Sequence, residues 1–382
     1  MFVPLSALAP LLDRGRGQAY HGPARRTALK ITGEIMTDGK KKGMIGIFVV
    51  LALSWASAAM TKDQDAGLLG QAKDLFSPLP RVIDSPENPV TPAKVELGKM
   101  LFYETRTSMD GTFSCVRCHP FSFYGADGLR TSMGRDGKPG PRNAPTVLNA
   151  AGQISAHWVG NRKNVEDQAV QSLTAPASPM MPSSDAAVKK LREIAGYGPY
   201  FQKAFPGEKN PVSAENFGKA VGAFERTLVT PSPFDAFLDG NPAALTGAQK
   251  TGLTKFIGTG CVQCHSGTYV GGGAYEKFGV LEPYWTYTKS APVDEGRITV
   301  TKNADDKYVF KVPGLRNVEM TPPYFHDGSV DRLAEAVRIM AKIQLGITLA
   351  DNDISDIVNF LRSLTGRIPE DALRVPVLPR KE

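Results

Sequence analysis

Cys115-Val116-Arg117-Cys118-His119 and Cys261-Val262-Gln263-Cys264-His265 are two copies of one pattern. Together they use all four cysteines and two of the five histidines of the 382-residue chain. Each cysteine pair can add to the vinyl groups of a haem as thioethers, and the adjacent histidine then offers a nitrogen to the iron. The chain is therefore expected to carry two covalent haem c groups and to do redox chemistry. Cys115, Cys118, Cys261 and Cys264 would attach them; His119 and His265 would ligate the iron. Zinc ribbons place their cysteine pairs far closer together than Cys118 and Cys261. A thioredoxin-type dithiol needs no histidine after the pair, and here one follows twice. A disulfide inside either short turn would be strained.

Helices must position these turns. Val95 to Phe102 precedes the first motif with apolar residues at helical spacing, and Lys250 to Phe256 precedes the second. Ser213 to Leu228 reads as a helix capped by Ser213, with Phe217, Val221, Phe224 and Leu228 as its apolar stripe. Thr230-Pro231-Ser232-Pro233 breaks it and marks the expected domain boundary. Ser329 is expected to cap a further helix with Leu333, Val337, Met340 and Gln344 along one side. Asp353 opens another, with Ile354, Ile357, Val358, Leu361 and Leu364 inward, Arg362 in its last turn and Gly366 as its stop. Strand alternation is scarce: Thr299-Val300-Thr301 and Tyr308-Val309-Phe310 could pair as a small hairpin. Gly134 to Pro145 is a long Gly/Pro-rich loop. The expected fold is mainly α, with two cytochrome c-like haem domains and few short strands.

The pI near 9.1 invites a nucleic-acid reading, which the distribution of charge removes. Residues 36–58 have the form of a secretory signal peptide: Lys40, Lys41 and Lys42, an apolar stretch from Met44 to Trp55, and an Ala56-Ser57-Ala58 cleavage site. The apolar run is short for a membrane span. Residues 1–35 fit no part of such a signal and are expected to be untranslated or disordered, with Met36 or Met44 as the start. Without residues 1–58, which hold eight Lys/Arg and three acids, the formal charge falls from +7 to +2. No nucleic-acid partner is expected, and c-type attachment suits a periplasmic location. The expected domains are 59–230 around the first motif and 231–382 around the second.

With both motifs and these segments in view, the chain resembles the bacterial di-haem cytochrome c peroxidase and MauG superfamily. The resemblance runs from about Leu79 to Gly366. It rests on Pro141-Arg142-Asn143-Ala144-Pro145-Thr146, Trp158 with Gly160, Val165-Glu166-Asp167-Gln168-Ala169, Tyr308-Val309-Phe310, Leu315-Arg316-Asn317, Pro323-Tyr324-Phe325-His326 and Ala336 to Ala341. It implies that the first haem reacts with peroxide, that the second stores an electron, and that Trp158 lies between them. It implies a Ca²⁺ ion held by the Asn143 side chain and the carbonyls of Thr321 and Pro323, hard oxygen donors that suit this ion. It implies Met340 as the sixth ligand of the second haem, where MauG-type enzymes have Tyr; a plain core role competes, and Met320 is the reserve. His326 is expected to be structural. Relatives are often homodimers.

The chain departs from the family at the first haem. The removable distal histidine aligns with Arg135. The distal glutamate expected about ten residues after Gln168 falls in Ala177-Ser178-Pro179-Met180, which holds no acid. His157 is the candidate substitute acid or base, with a pKa near its ordinary value, against a plain packing role. Gln168, Trp158 and His157 are thus the candidate catalytic residues. Three functions follow in order. The first is reduction of H2O2 to water with electrons from a small cytochrome c or cupredoxin. The second is MauG-like, peroxide-dependent oxidation of aromatic residues on a partner protein. The third is non-enzymatic di-haem electron transfer.

Overall fold

The computed structural model describes residues 63–134, 137–176 and 180–381. The leader, the signal segment, Arg135 and Ala177-Ser178-Pro179 lie outside them. In chain order the helices are α1 over residues 63–75, α2 (Pro92–Tyr103), α3 (Cys115–Cys118), α4 (Val165–Ser172), α5 (Ser184–Arg192), α6 (Gly198–Ala204) and α7 (Ala214–Glu225). There follow α8 (Pro233–Leu238), α9 (Gly247–Gly258), α10 (Tyr284–Thr288), α11 (Ile298–Thr301), α12 (Leu333–Leu345), α13 (Asp351–Arg362) and α14 (Glu370–Leu373). Two short strands, β1 (Tyr275–Lys277) and β2 (Val309–Lys311), pair antiparallel with Tyr275 opposite Lys311.

Capping chemistry places the main helices. Thr91 accepts from Lys94 N and Pro92 starts α2; Ser213 accepts from Asn216 N at 3.1 Å and starts α7; Thr246 and Gln249 form a capping box at α9. Two helix pairs then cross in the same way. Where α2 meets α7, a Cβ on Gly98 would lie 1.9 Å from the Ala220 carbonyl oxygen. Where α9 meets α13, a Cβ on Gly252 would lie 1.9 Å from the Asp356 carbonyl oxygen. Only glycine permits backbones that close. Each crossing is closed by a ring pair four residues on: Phe102 with Phe224 at 5.5 Å, and Phe256 with Phe360 at 5.0 Å.

A polar repeat accompanies the helical one. Asn149 and Asn317 both have left-handed backbone, with φ of 59° and 63°. Their amides donate to Leu228 O and Leu364 O, and their side-chain oxygens accept from Thr230 N and Gly366 N. Both side-chain amides donate to one atom, Thr230 Oγ1, at 2.8 and 2.9 Å. The segments after α7 and after α13 therefore meet on a fully buried hydroxyl that accepts from both.

The hydrophobic core forms three clusters. One gathers α2, α5, α6 and α7; the second gathers α8, α9 and α13; the third is aromatic, with Tyr284, Phe310, Trp158 and Trp285. The chain ends cross over. Ala72 and Phe76 of the N-terminal segment sit in the second cluster, and Ile368 and Ala372 near the C-terminus sit in the first.

Four sequence expectations change. Ser329 does not cap α12, whose N-cap is Arg332; Ser329 N instead donates to Asp327 Oδ1. Helix α13 starts at Asp351, after Ala350, rather than at Asp353. Thr299-Val300-Thr301 belongs to α11, and β2 pairs with β1 instead. Gly366 is not a left-handed stop. It is glycine because a Cβ would lie 2.0 Å from Thr230 O.

Candidate functional site

The two Cys-x-x-Cys-His segments fold alike. Cys115 to Cys118 is one helical turn, Cys261 to Gln263 a 3-10 turn. In each, the histidine amide donates back to the carbonyl of the first cysteine, His119 to Cys115 at 3.0 Å and His265 to Cys261 at 2.9 Å. All four cysteines are free thiols, half-buried, with no disulfide between them. Burial pushes every one of their pKa values up. They therefore stay protonated near neutral pH, which disfavours a thiolate metal site.

The imidazoles are prepared as ligands. His119 Nδ1 lies 3.0 Å from Gly125 O. A carbonyl only accepts, so Nδ1 carries the hydrogen and Nε2 keeps its lone pair. Burial lowers the pKa of His119, and lowers that of His265 to about 4, so both rings are neutral. The carbonyls of Pro145 and Pro313 act on the two rings in the same way, each four residues before the paired Asn149 and Asn317. His265 Nδ1 is buried and meets no partner in hydrogen-bond geometry. Four thiols and two neutral imidazoles, that of His119 oriented by Gly125 O, form the donor set that two haem c groups require.

His157 sits in a loop closed by the Ala156–Arg162 bridge, with φ of 66°. Its Nδ1 lies 2.9 Å from Asn161 Oδ1, so Nδ1 donates and Nε2 is the free acceptor. Burial takes its pKa down to about 4, with Arg162, His119 and Lys311 adding to the effect. The ring is therefore neutral near pH 7, where the sequence reading took an ordinary pKa. The action of His119 on His157 places the two rings within electrostatic reach of each other.

Trp158 is fixed by its polar atoms. Nε1 donates to Asn143 O at 3.0 Å, and its carbonyl accepts from Lys311 N at 2.7 Å. Its ring meets His326 edge-on at 6.4 Å. His326 is buried, stacks on Phe310 at 4.3 Å, and offers its carbonyl to Asn143 N at 2.8 Å. Asn143 is also buried; its Nδ2 donates to Leu129 O at 2.9 Å, and its Oδ1 is a neutral oxygen of the kind a hard cation takes. Trp158, Asn143 and the 321–326 loop that carries Thr321 and Pro323 are thus one connected unit. Among the described residues no group of three or more His, Cys, Asp or Glu is placed to hold a metal, so a cation there would depend on amide and carbonyl oxygens.

Gln168 is half-buried on α4. Glu166 pairs with Arg226 at 2.8 Å and accepts from Asn88 at 3.0 Å. Met340 is half-buried in the middle of α12, and Met320 is exposed. Sequence reasoning missed Lys311, buried on β2, because a lysine in a short strand carries no signal of burial.

Fold and site together define a mainly helical protein with duplicated c-type haem attachment turns. Residues 92–243 match the family model described as di-haem cytochrome c peroxidase. The chain is 42% identical over 332 residues to the cytochrome c551 peroxidase of Pseudomonas aeruginosa, covering 86% of this chain and 94% of the relative. It is 32% identical over 347 residues to the methylamine utilization protein MauG of Methylorubrum extorquens, covering 87% and 95%. A solved structure of a MauG-like protein associated with microbial copper homeostasis matches with a TM-score of 0.67 at 26% identity, covering 78% of this chain and 97% of that one. The chain belongs to the di-haem cytochrome c peroxidase family, a family of oxidoreductases.

Proposed function

We propose that this protein is a periplasmic peroxidase that reduces H2O2 to water, taking electrons from a small cytochrome c or cupredoxin. The observation that carries the proposal is the duplicated attachment turn, each with a buried neutral histidine acted on by a proline carbonyl. We divide the chain into an N-terminal half, 59–230, holding the peroxide-reacting haem on Cys115, Cys118 and His119. The C-terminal half, 231–382, holds the electron-storing haem on Cys261, Cys264, His265 and Met340. The haems, when bound, supply the electrons that break the O–O bond.

The chain's own residues supply position and protons. The overall reaction consumes one H2O2, two electrons and two protons, and yields two waters. His157 Nε2 is free and neutral, so it accepts a proton from the peroxide and returns it to the departing oxygen. Its fixed Nδ1–H···Oδ1 bond to Asn161 keeps that nitrogen directed. Gln168 is assigned as a neutral hydrogen-bond partner in the same pocket. Trp158 is assigned to the path between the haems, where hydrogen bonds through Asn143 and Lys311 hold it still. The thioether of Met340 raises the potential of the second haem. Ca²⁺ is assigned to Asn143 Oδ1 and the carbonyls of Thr321 and Pro323, where it would fasten Trp158's anchor.

The MauG relative supports a second reading: oxidation of aromatic residues on a protein substrate. Met340, where that branch has Tyr, favours the first.

Removing one cysteine pair tests the attachment scheme. Cys115→Ala with Cys118→Ala is expected to lose one covalent haem by intact mass, and Cys261→Ala with Cys264→Ala the other. Two haems on either variant would contradict the assignment.

A further inference from the structure

Among the described residues Lys311 has no carboxylate partner. Its residue is 8% exposed, and its ammonium donates to the side-chain oxygen of Gln153. Burial is the cause that acts on its pKa, taking it down to about 8, and no carboxylate acts to raise it. A second cation acts with it on the His157 ring: Arg162, whose buried Nε has no partner among the described residues and whose Nη1 donates to the Asn161 carbonyl. An unpaired charge in such a place costs several kcal/mol on general grounds, so the site is built for an anion.

The location narrows the anion. On one side of Lys311 lies the His157 loop, within electrostatic reach of His119. On the other, Ile154 N donates to Gly272 O, and Gly271 N donates to Ser266 O, directly after His265. Gln153 and Lys311 thus belong to one hydrogen-bonded path that runs from the Trp158 backbone to the turn after His265. The groups attached at the two Cys-x-x-Cys-His turns carry propionate carboxylates. We infer that Lys311, together with Gln153 and Arg162, binds a haem propionate and holds that haem's reduction potential up. This rests on the di-haem reading and assigns a positioning role to Lys311.

The test uses the di-haem holoprotein, with haem content measured first. A protein that carries no haem would overturn the di-haem reading and this inference together. With two haems present, spectroelectrochemical titration compares wild type, Lys311→Met and Lys311→Arg. The account predicts a lower potential for one haem in Lys311→Met, because loss of a buried positive charge favours the ferric state. That potential should also become pH-dependent, as the unpaired propionate takes up a proton. Lys311→Arg should stay near wild type, which a merely structural role would not ensure. Should Lys311→Met not fold, Arg162→Gln gives the second reading, with a smaller shift in the same direction. Potentials unchanged in these variants at full haem content would overturn the inference. A wild-type potential that moves when chloride is exchanged for acetate would show that a free anion fills the site, and would overturn it too.

Discussion

At neutral pH His157 is an uncharged imidazole, directed by Asn161 and flanked by Arg162 and Lys311. A base with a pKa of about 4 works across the neutral range and fails only in acid. The sign follows directly: Nε2 must be free to accept, so activity is full above the folded pKa and falls as pH drops toward 4. No inflection near 6.5 should come from this residue. His157→Gln is expected to lower kcat/KM for H2O2 by about 10²-fold or more, with haem content unchanged. An unaltered kcat/KM would return His157 to a packing role. The two Cys-x-x-Cys-His turns were legible because their spacing is fixed within five residues of sequence, and both fold with the histidine amide on the first cysteine's carbonyl. The state of His157 was not, since it arises from burial and from charges 5 to 154 residues away. Lys311 was missed for the same reason.

Helices follow rules that the sequence states locally. The caps at Ser213 and the apolar stripes on α7 and α13 were readable because each needs only neighbours in the chain. The start of α12 was not, because it falls at Arg332, which makes no side-chain cap and so leaves no local signal. The short hairpin went wrong because three-residue strands carry too little pattern to name their partner. Gly98 and Gly252 look like weak points of two helices, yet they are what lets each pair close. Gly252→Ala should therefore destabilise the protein by about 2 kcal/mol or more, read as a fall in thermal midpoint, because the methyl meets backbone rather than a movable side chain. A neutral or stabilising result, as helix propensity alone predicts, would contradict the crossing geometry.

Over the whole molecule, the repeated pieces are joined rather than strung. Thr230 receives both repeated asparagines, and each chain end packs into the other half's core. Arg106 adds a tie to the Pro379 carbonyl at 2.9 Å. The repeat of the Cys-x-x-Cys-His turn was legible from the two motifs, whereas the packing of Ala72 and Phe76 with the second cluster and of Ile368 and Ala372 with the first was not, because it depends on long-range contacts. The most direct test of a peroxidase is turnover. The di-haem protein, without prior reduction, is mixed with H2O2 and a reduced small cytochrome c, and donor oxidation is followed. Steady oxidation of two donors for each peroxide consumed is the expected result. A protein that consumes no peroxide and oxidises no donor would contradict the account.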